Sequence, residues 1–172
     1  MSSIKIDILL QKNRIMESLK SKIDKLCADS SNLDKLLNRI CEVLKNEVEH
    51  YDWVGFYFKN GDKKELKLKA FAGLPTDHTI IPFGKGICGQ VAESNQNFVV
   101  ADVHAQDNYI SCNINVKSEI VIPLFYHEEN IGQIDIDSNT VNAFSKEDEN
   151  VLVYVNTKVA QKIKDLDAFP IF

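Results

Sequence analysis

The stretch WVGFYFKNGDKKELKLKAF, residues 53–71, decides the fold. Successive side chains of a strand point to opposite faces, so its first six residues divide into two sets. The apolar set is Val54, Phe56 and Phe58, and the other set is Trp53, Gly55 and Tyr57. The run Asn60-Gly61-Asp62 is typical of a turn, and alternation resumes after it. The stretch therefore predicts a β-hairpin with its phenylalanine face in the core.

Helices are predicted at both ends of this sheet region. Apolar residues recur at three-to-four spacing over residues 15–26 and again over residues 33–48, with serines between them to cap the second helix. Near the other end, Ser145 precedes Lys146-Glu147-Asp148 at capping-box spacing, and apolar residues at helical spacing follow. Two leading helices and one closing helix are expected.

Three later segments have strand character: residues 97–100, Ser118–Tyr126 and residues 131–137, the last two joined by a turn at residues 127–130. Together with the hairpin they predict a central antiparallel sheet flanked by N- and C-terminal helices. The fold class is therefore α+β, arranged as a single domain over residues 1–172.

Composition limits the function. The chain has 172 residues, 44% of them hydrophobic, and 20 basic against 25 acidic residues give a net charge of −5. This composition is that of an ordinary globular protein, and the longest basic cluster is Lys63-Lys64, so nucleic-acid binding is not expected. No stretch approaches the roughly 18–20 apolar residues of a membrane span, and the start lacks a signal-peptide pattern. A cytoplasmic protein that does not bind membranes is predicted.

The four cysteines divide into two kinds. Cys27 and Cys41 lie in the leading helices, where small buried packing residues are expected. Without a secretory signal, the four do not indicate a disulfide scaffold. Cys112 lies in a polar segment without periodicity, where it is either a chemical thiol or an incidental surface residue.

Cys88 belongs to GKGICG, residues 84–89, which matches the dinucleotide fingerprint G-x-G-x-x-G. That fingerprint needs a βαβ unit, and the sequence shows none here. A flexible turn into a short helix over residues 87–94 fits better. Cys88 would then lie near a helix N-terminus, whose dipole favours the thiolate.

Asp135 and Asp137 are two residues apart on a predicted strand, so both carboxylates share one face. Glu119 lies on the neighbouring strand and can join them. When two partly buried carboxylates lie this close, their repulsion raises the pKa of at least one of them. That group can then deliver a proton near neutral pH. The alternative is a solvated polar face of the sheet.

Trp53 and Tyr57 flank Gly55 on the face away from the phenylalanines, which suggests an aromatic floor for a small ligand. His78, His104 and the two later cysteines do not have the spacing of a zinc site. Neither a metal nor a cofactor is expected.

The ordered combination of motifs resembles the free methionine-(R)-sulfoxide reductases, which are single GAF-domain enzymes. The resemblance covers about residues 33–163, and its motifs are YDWVGFY (51–57), FGKGICG (83–89), ADVH (101–104), ISC (110–112), SEIVIPL (118–124) and IGQIDIDS (131–138). It implies a GAF fold, a homodimer, and a pocket that binds free methionine sulfoxide and reduces its R epimer.

The resemblance also implies roles for individual residues. Cys112 attacks the sulfoxide sulfur, and a second cysteine condenses with the resulting sulfenic acid to a disulfide that thioredoxin or another thiol reductant reduces. The acidic set Glu119, Asp135 and Asp137 holds the substrate amino group and helps to protonate the sulfoxide oxygen. Trp53 and Tyr57 form the wall around the methyl end.

One departure from the family concerns the second cysteine. The position that usually carries the resolving thiol is His78 here. Either Cys88 resolves the sulfenic acid, or an external thiol does, or the pocket reduces nothing. In the last case the chain would be a small-molecule-binding GAF sensor, which is the alternative function.

Overall fold

The computed structural model describes residues 3–106 and 115–172. Cys112 lies outside the described residues. The elements, in chain order, are α1 (Ser3–Asp29), α2 (Leu33–Glu47), β1 (Trp53–Lys59), β2 (Glu65–Ala72), β3 (Ile80–Pro82), α3 (Gly86–Ser94), β4 (Phe98–Val100), a 3₁₀ turn (Val103–Ala105), β5 (Ser118–Tyr126), β6 (Glu129–Ser138) and α4 (Lys146–Asp165).

The strands form one six-stranded sheet in the order β3-β2-β1-β6-β5-β4, and every neighbouring pair is antiparallel. Each face of the sheet has its own layer. One face packs against α2 and α4, on which α1 packs in turn, and the other face packs against α3. The predicted α+β class with a central antiparallel sheet is therefore confirmed.

The phenylalanine face of β1 lies in the larger core, as predicted. Val54, Phe56 and Phe58 are fully buried there among apolar residues of α1, α2 and α4. The opposite face of β1, which carries Trp53 and Tyr57, belongs to a separate smaller cluster with α3. The hairpin thus directs the aromatic pair away from the main core, toward α3.

Some local predictions were wrong in detail. The cap of α2 is Asn32, whose side chain accepts a hydrogen bond from the backbone N–H of Lys35, rather than a serine. The short helix begins at Gly86, one residue earlier than predicted. Strand β4 begins at Phe98, one residue later than predicted. Sequence reasoning missed β3, because three residues are too few to show alternation. Within the described chain, no helix is both long and apolar enough to cross a membrane.

A buried carboxylate of α4 joins this helix to α1 and to the segment that precedes β1. Asp148 Oδ2 accepts hydrogen bonds from Lys12 Nζ of α1 and from the backbone N–H of Ser145, each at 2.8 Å. Its Oδ1 lies 2.9 Å from His50 Nε2 and accepts a hydrogen bond from the Tyr51 hydroxyl at 3.1 Å. Burial would raise the pKa of Asp148, but the hydrogen bonds from His50, Lys12 and Ser145 lower it well below its usual range.

We expect Asp148→Asn to lower the free energy of unfolding at pH 7 by about 2–4 kcal/mol, because it removes the charge that pairs with Lys12. The native pKa is depressed, so the carboxylate stabilises the fold above its ordinary pKa of 3.8, and that contribution is lost as the pH falls below it. Urea unfolding at pH 7 and pH 3 measures the effect, which should shrink at pH 3.

Asp165→Asn is the control for this variant, because Asp165 is an exposed acid on the same helix. It should change stability by less than about 0.5 kcal/mol. Equal effects of the two substitutions at pH 7 would contradict a structural role for Asp148.

Candidate functional site

Three acids lie together on the sheet face that packs against α3. Glu119 of β5 lies opposite Asp137 of β6, and Asp135 precedes Asp137 by two residues on the same strand. Since directly opposed residues of antiparallel strands share a face, the three carboxyl groups point to the same side. The register with β1 sets Asp137 opposite Trp53 and Asp135 opposite Gly55. The sheet therefore brings the predicted acids and the predicted aromatic floor together.

The three acids are buried. Glu119 is 4% exposed, Asp135 1% and Asp137 3%. Among the described residues none forms an ion pair with a lysine or arginine, and Oδ1 of Asp135 and Oδ1 of Asp137 have no hydrogen-bond partner. A solvated polar face, the alternative considered for these residues, is therefore wrong.

Burial changes the protonation of all three groups. It raises the pKa of Asp135 from its ordinary value of 3.8 to about 7, although hydrogen bonds from Cys88 and Glu119 oppose the rise. Burial, followed by the charges of Asp135 and Asp137, raises the pKa of Glu119 well above its usual range. Burial and then the charges of Asp135 and Asp52 do the same for the pKa of Asp137. The cluster therefore holds protons near neutral pH.

Cys88 belongs to this cluster. It is the third residue of α3, close to the helix N-terminus as predicted, and it is 4% exposed. Its Sγ and carboxylate oxygens of Glu119 and Asp135 all lie within 4.8 Å of one another. Asp135 accepts a hydrogen bond from the thiol. The thiolate that the helix dipole was predicted to favour stays a prediction.

The Trp53 ring lies directly over Gly55. A Cβ on Gly55 would lie 2.2 Å from Trp53 Cη2, and one on Gly73, at φ +135°, would lie 2.6 Å from Cδ1. The indole N–H donates to the Leu74 carbonyl at 3.1 Å, and the ring stacks on Phe71 at 5.9 Å between centroids. Two glycines and a backbone carbonyl thus fix the orientation of the aromatic wall.

Tyr57 is the second aromatic residue of the wall. Its hydroxyl donates to the backbone carbonyl of His78 at 2.8 Å, and its ring lies 6.3 Å from that of Trp53. Sequence reasoning missed Gly73, Phe71 and Leu74, which position Trp53. They lie 18–21 residues after Trp53. A lone glycine such as Gly73 gives no sequence signal of the residue that it contacts.

Two small cavities open onto the acidic cluster. One, of about 60 Å³, is lined by Asp137 and Trp53 together with Asp52, Asn139 and residues 74–76, 115 and 116. The other, of about 20 Å³, is lined by Cys88, Glu119 and His78 together with Ile81 and residues 85–87. Among the described residues, the side chains close enough together to hold a metal ion are Cys88, Glu119 and Asp135. Neither His78 nor His104 belongs to this group.

Comparison with known proteins agrees with this geometry. The model of the GAF domain family matches residues 30–163. The GAF domain-containing protein A of Dictyostelium discoideum is 34% identical over 81% of this chain and 86% of its own length. The free methionine-R-sulfoxide reductase of Escherichia coli is 32% identical over 83% of this chain and 85% of its own. The solved free methionine-R-sulfoxide reductase of Neisseria meningitidis, in complex with its substrate, is 31% identical, with a TM-score of 0.80 over 91% of this chain and 90% of its own.

The protein belongs to the GAF domain family, because the family model matches most of the chain. The strand order and the buried site beneath α3 agree with this assignment. Within that family, the resemblance to the free methionine-R-sulfoxide reductases is confirmed.

We expect Asp135→Asn to stabilise the protein at pH 8. Unfolded Asp135 loses its proton near 3.8 and the native residue near 7, so the native state binds more protons in between and stability falls as the pH rises through that window. Asparagine does not ionise, so the stability of the variant does not decrease in this way. At pH 8 its free energy of unfolding should exceed that of the wild type by a few kcal/mol at most. Melting temperatures measured from pH 4 to pH 8 should diverge in favour of the variant.

Asp62→Asn, at an exposed turn, is the matched control and should melt like the wild type at every pH. A lower melting temperature for Asp135→Asn at pH 8 would mean that the native carboxyl is stabilised by a partner.

Proposed function

We propose that this protein reduces the R epimer of free L-methionine sulfoxide to methionine. The observation that supports the proposal best is the set of three buried carboxyl groups without a cationic partner among the described residues. Buried acids without a partner destabilise a fold, so their presence beside an aromatic wall indicates a ligand that compensates them. The similarity to reductases, including one solved with its substrate, supports the same conclusion.

The site suits a free amino acid. An ammonium group can occupy the place beside Glu119, Asp135 and Asp137, where it would supply the missing positive charge. Trp53 and Asp137 line the same cavity, so a methyl group next to sulfur could lie against the indole there. A methionine sulfoxide residue inside a polypeptide has no free ammonium group, so the cluster would select the free amino acid.

The proposed reaction uses the thiol of Cys112, which the family resemblance makes the nucleophile. Its sulfur attacks the sulfoxide sulfur while a protonated carboxyl group of the cluster delivers a proton to the sulfoxide oxygen. The oxygen passes to Cys112, which becomes a sulfenic acid, and methionine leaves as the thioether. The proton lost by the Cys112 thiol restores the carboxyl group. The proton held by Asp135 near neutral pH supports this step.

A second thiol then closes the cycle. Cys88 attacks the sulfenic acid, a disulfide forms and water leaves, and two thiols of an external reductant reduce the disulfide. The burial of Cys88 beside Asp135 and Glu119 supports its place in the same site. We infer thioredoxin or another thiol as that reductant, a homodimer as the assembly and the cytoplasm as the location.

The decisive assay supplies separated R and S epimers of free methionine sulfoxide with dithiothreitol and measures methionine. We expect turnover of the R epimer alone, and a loss of at least about a thousandfold in Cys112→Ser, because a hydroxyl replaces the nucleophile. Cys41→Ser, at a buried packing position of α2, is the control and should remain active.

Two outcomes of this assay would contradict the proposal. Full activity in Cys112→Ser would remove Cys112 as the nucleophile. Absence of turnover in the wild type, combined with a melting temperature raised by methionine sulfoxide, would favour a ligand-binding GAF sensor.

The resolving role of Cys88 has a separate test. One equivalent of the R sulfoxide, added without reductant, should give a Cys88–Cys112 cross-link detectable by mass spectrometry of the digested protein. The cross-link requires Cα atoms within roughly 4.4–6.8 Å, so a shift of the loop before α3 is expected to accompany it. A lasting Cys112 sulfenic acid with Cys88 free would instead assign resolution to an external thiol.

A further inference from the structure

Cys88, Glu119 and Asp135 have the composition of a metal-binding triad. One thiol and two carboxyl groups, contributed by α3, β5 and β6, bring their ligand atoms within 4.8 Å of one another. A bound Zn²⁺ lies about 2.3 Å from sulfur and 2.0–2.2 Å from oxygen, which separates its ligands by roughly 3.5 Å. A side-chain movement of about 1 Å therefore closes the triad around one ion.

An unpaired carboxylate oxygen and a small cavity indicate a cation at this triad. Oδ1 of Asp135 has no hydrogen-bond partner in the described structure, although the residue is 99% buried, and the same holds for Oδ1 of neighbouring Asp137 at 97%. The cavity above Cys88 and Glu119 measures about 20 Å³, which is close to the space of one water molecule or ion.

We propose that Cys88, Glu119 and Asp135 bind a single thiophilic divalent cation, of which Zn²⁺ is the best fit. Thiolate and carboxylate are both ligands of Zn²⁺, whereas Mg²⁺ and Ca²⁺ prefer oxygen alone. Three protein ligands leave one position of a tetrahedral ion open toward the cavity. His78 lines that cavity, and the exposed Lys85 lies at its rim.

The ion would act as an inhibitor. This step rests on the proposed function: the cation would occupy the place of the substrate ammonium and would bind the Cys88 thiol, which resolves the sulfenic acid. Binding releases the thiol proton and any carboxyl protons to solvent, and no electron is transferred. The enzyme would be silenced by free zinc and restored by a chelator.

The test uses Co²⁺ as a spectroscopic probe for Zn²⁺ on the reduced protein, without sulfoxide. We expect one equivalent of Co²⁺ to give a sulfur-to-metal charge-transfer band that Zn²⁺ abolishes. Cys88→Ala should lose the band, and Glu119→Gln should weaken Co²⁺ binding by at least about tenfold. Cys27→Ser, at a half-buried thiol of α1, is the matched control and should keep the band.

Absence of the band in the wild type, or its persistence in a folded Cys88→Ala protein, would overturn the proposal. Loss of the band in Cys112→Ser with retention in Cys88→Ala would place the metal on the other thiol, which also overturns it. Since the titration contains no sulfoxide, its outcome is independent of the reductase assay. A protein that reduces sulfoxide and gives no band would refute the metal site alone.

Discussion

The site depends on the burial of three carboxyl groups on one face of a sheet whose other face carries the main core. Transfer of an unpaired carboxylate from water is costly, and here the cost appears as raised pKa values of Glu119, Asp135 and Asp137. The apolar layer of α1, α2 and α4 on the opposite face offsets that cost. The two faces of β1 and β6 therefore differ: one carries the main core, and the other carries the carboxyl groups that we propose bind a ligand.

The same division explains the surroundings of the site. Gly55 and Gly73 admit the Trp53 ring at distances that a Cβ would forbid, so the aromatic wall is positioned by backbone. Asp148 is the contrasting case of a buried acid, because Lys12, His50 and Ser145 satisfy it and lower its pKa. Asp148, which has these partners, joins α1 to α4, whereas we propose that the three acids without a cationic partner bind a ligand.

Much of this could be predicted from the sequence. Alternation in residues 53–71 separates Val54, Phe56 and Phe58 from Trp53 and Tyr57, and the same period places Asp135 and Asp137 together. These predictions succeed because a strand's period depends only on local geometry. The family resemblance added the proposed nucleophile and the substrate.

The remainder depends on contacts between distant segments. Burial of the acids follows from the packing of α3 across β5 and β6, and no local pattern reports it. The contact of Cys88 with Glu119 and Asp135 joins residues more than thirty positions apart, which rules based on ligand spacing do not detect. The same limit applies to the cap of α2, because Ser30, Ser31 and Asn32 are all suitable and packing selects Asn32.

The central claim, that the buried carboxyl groups await a ligand ammonium, has a direct measurement. Trp53 is the one tryptophan of the chain, so its fluorescence reports on the site alone. Cys112→Ser protein is titrated with free L-methionine sulfoxide and with the N-acetyl derivative, which has no positive charge. We expect the free amino acid to change the fluorescence saturably and the N-acetyl compound to bind at least about a hundredfold more weakly. Equal binding of the two compounds would contradict a role for the carboxyl cluster in recognising the ammonium group.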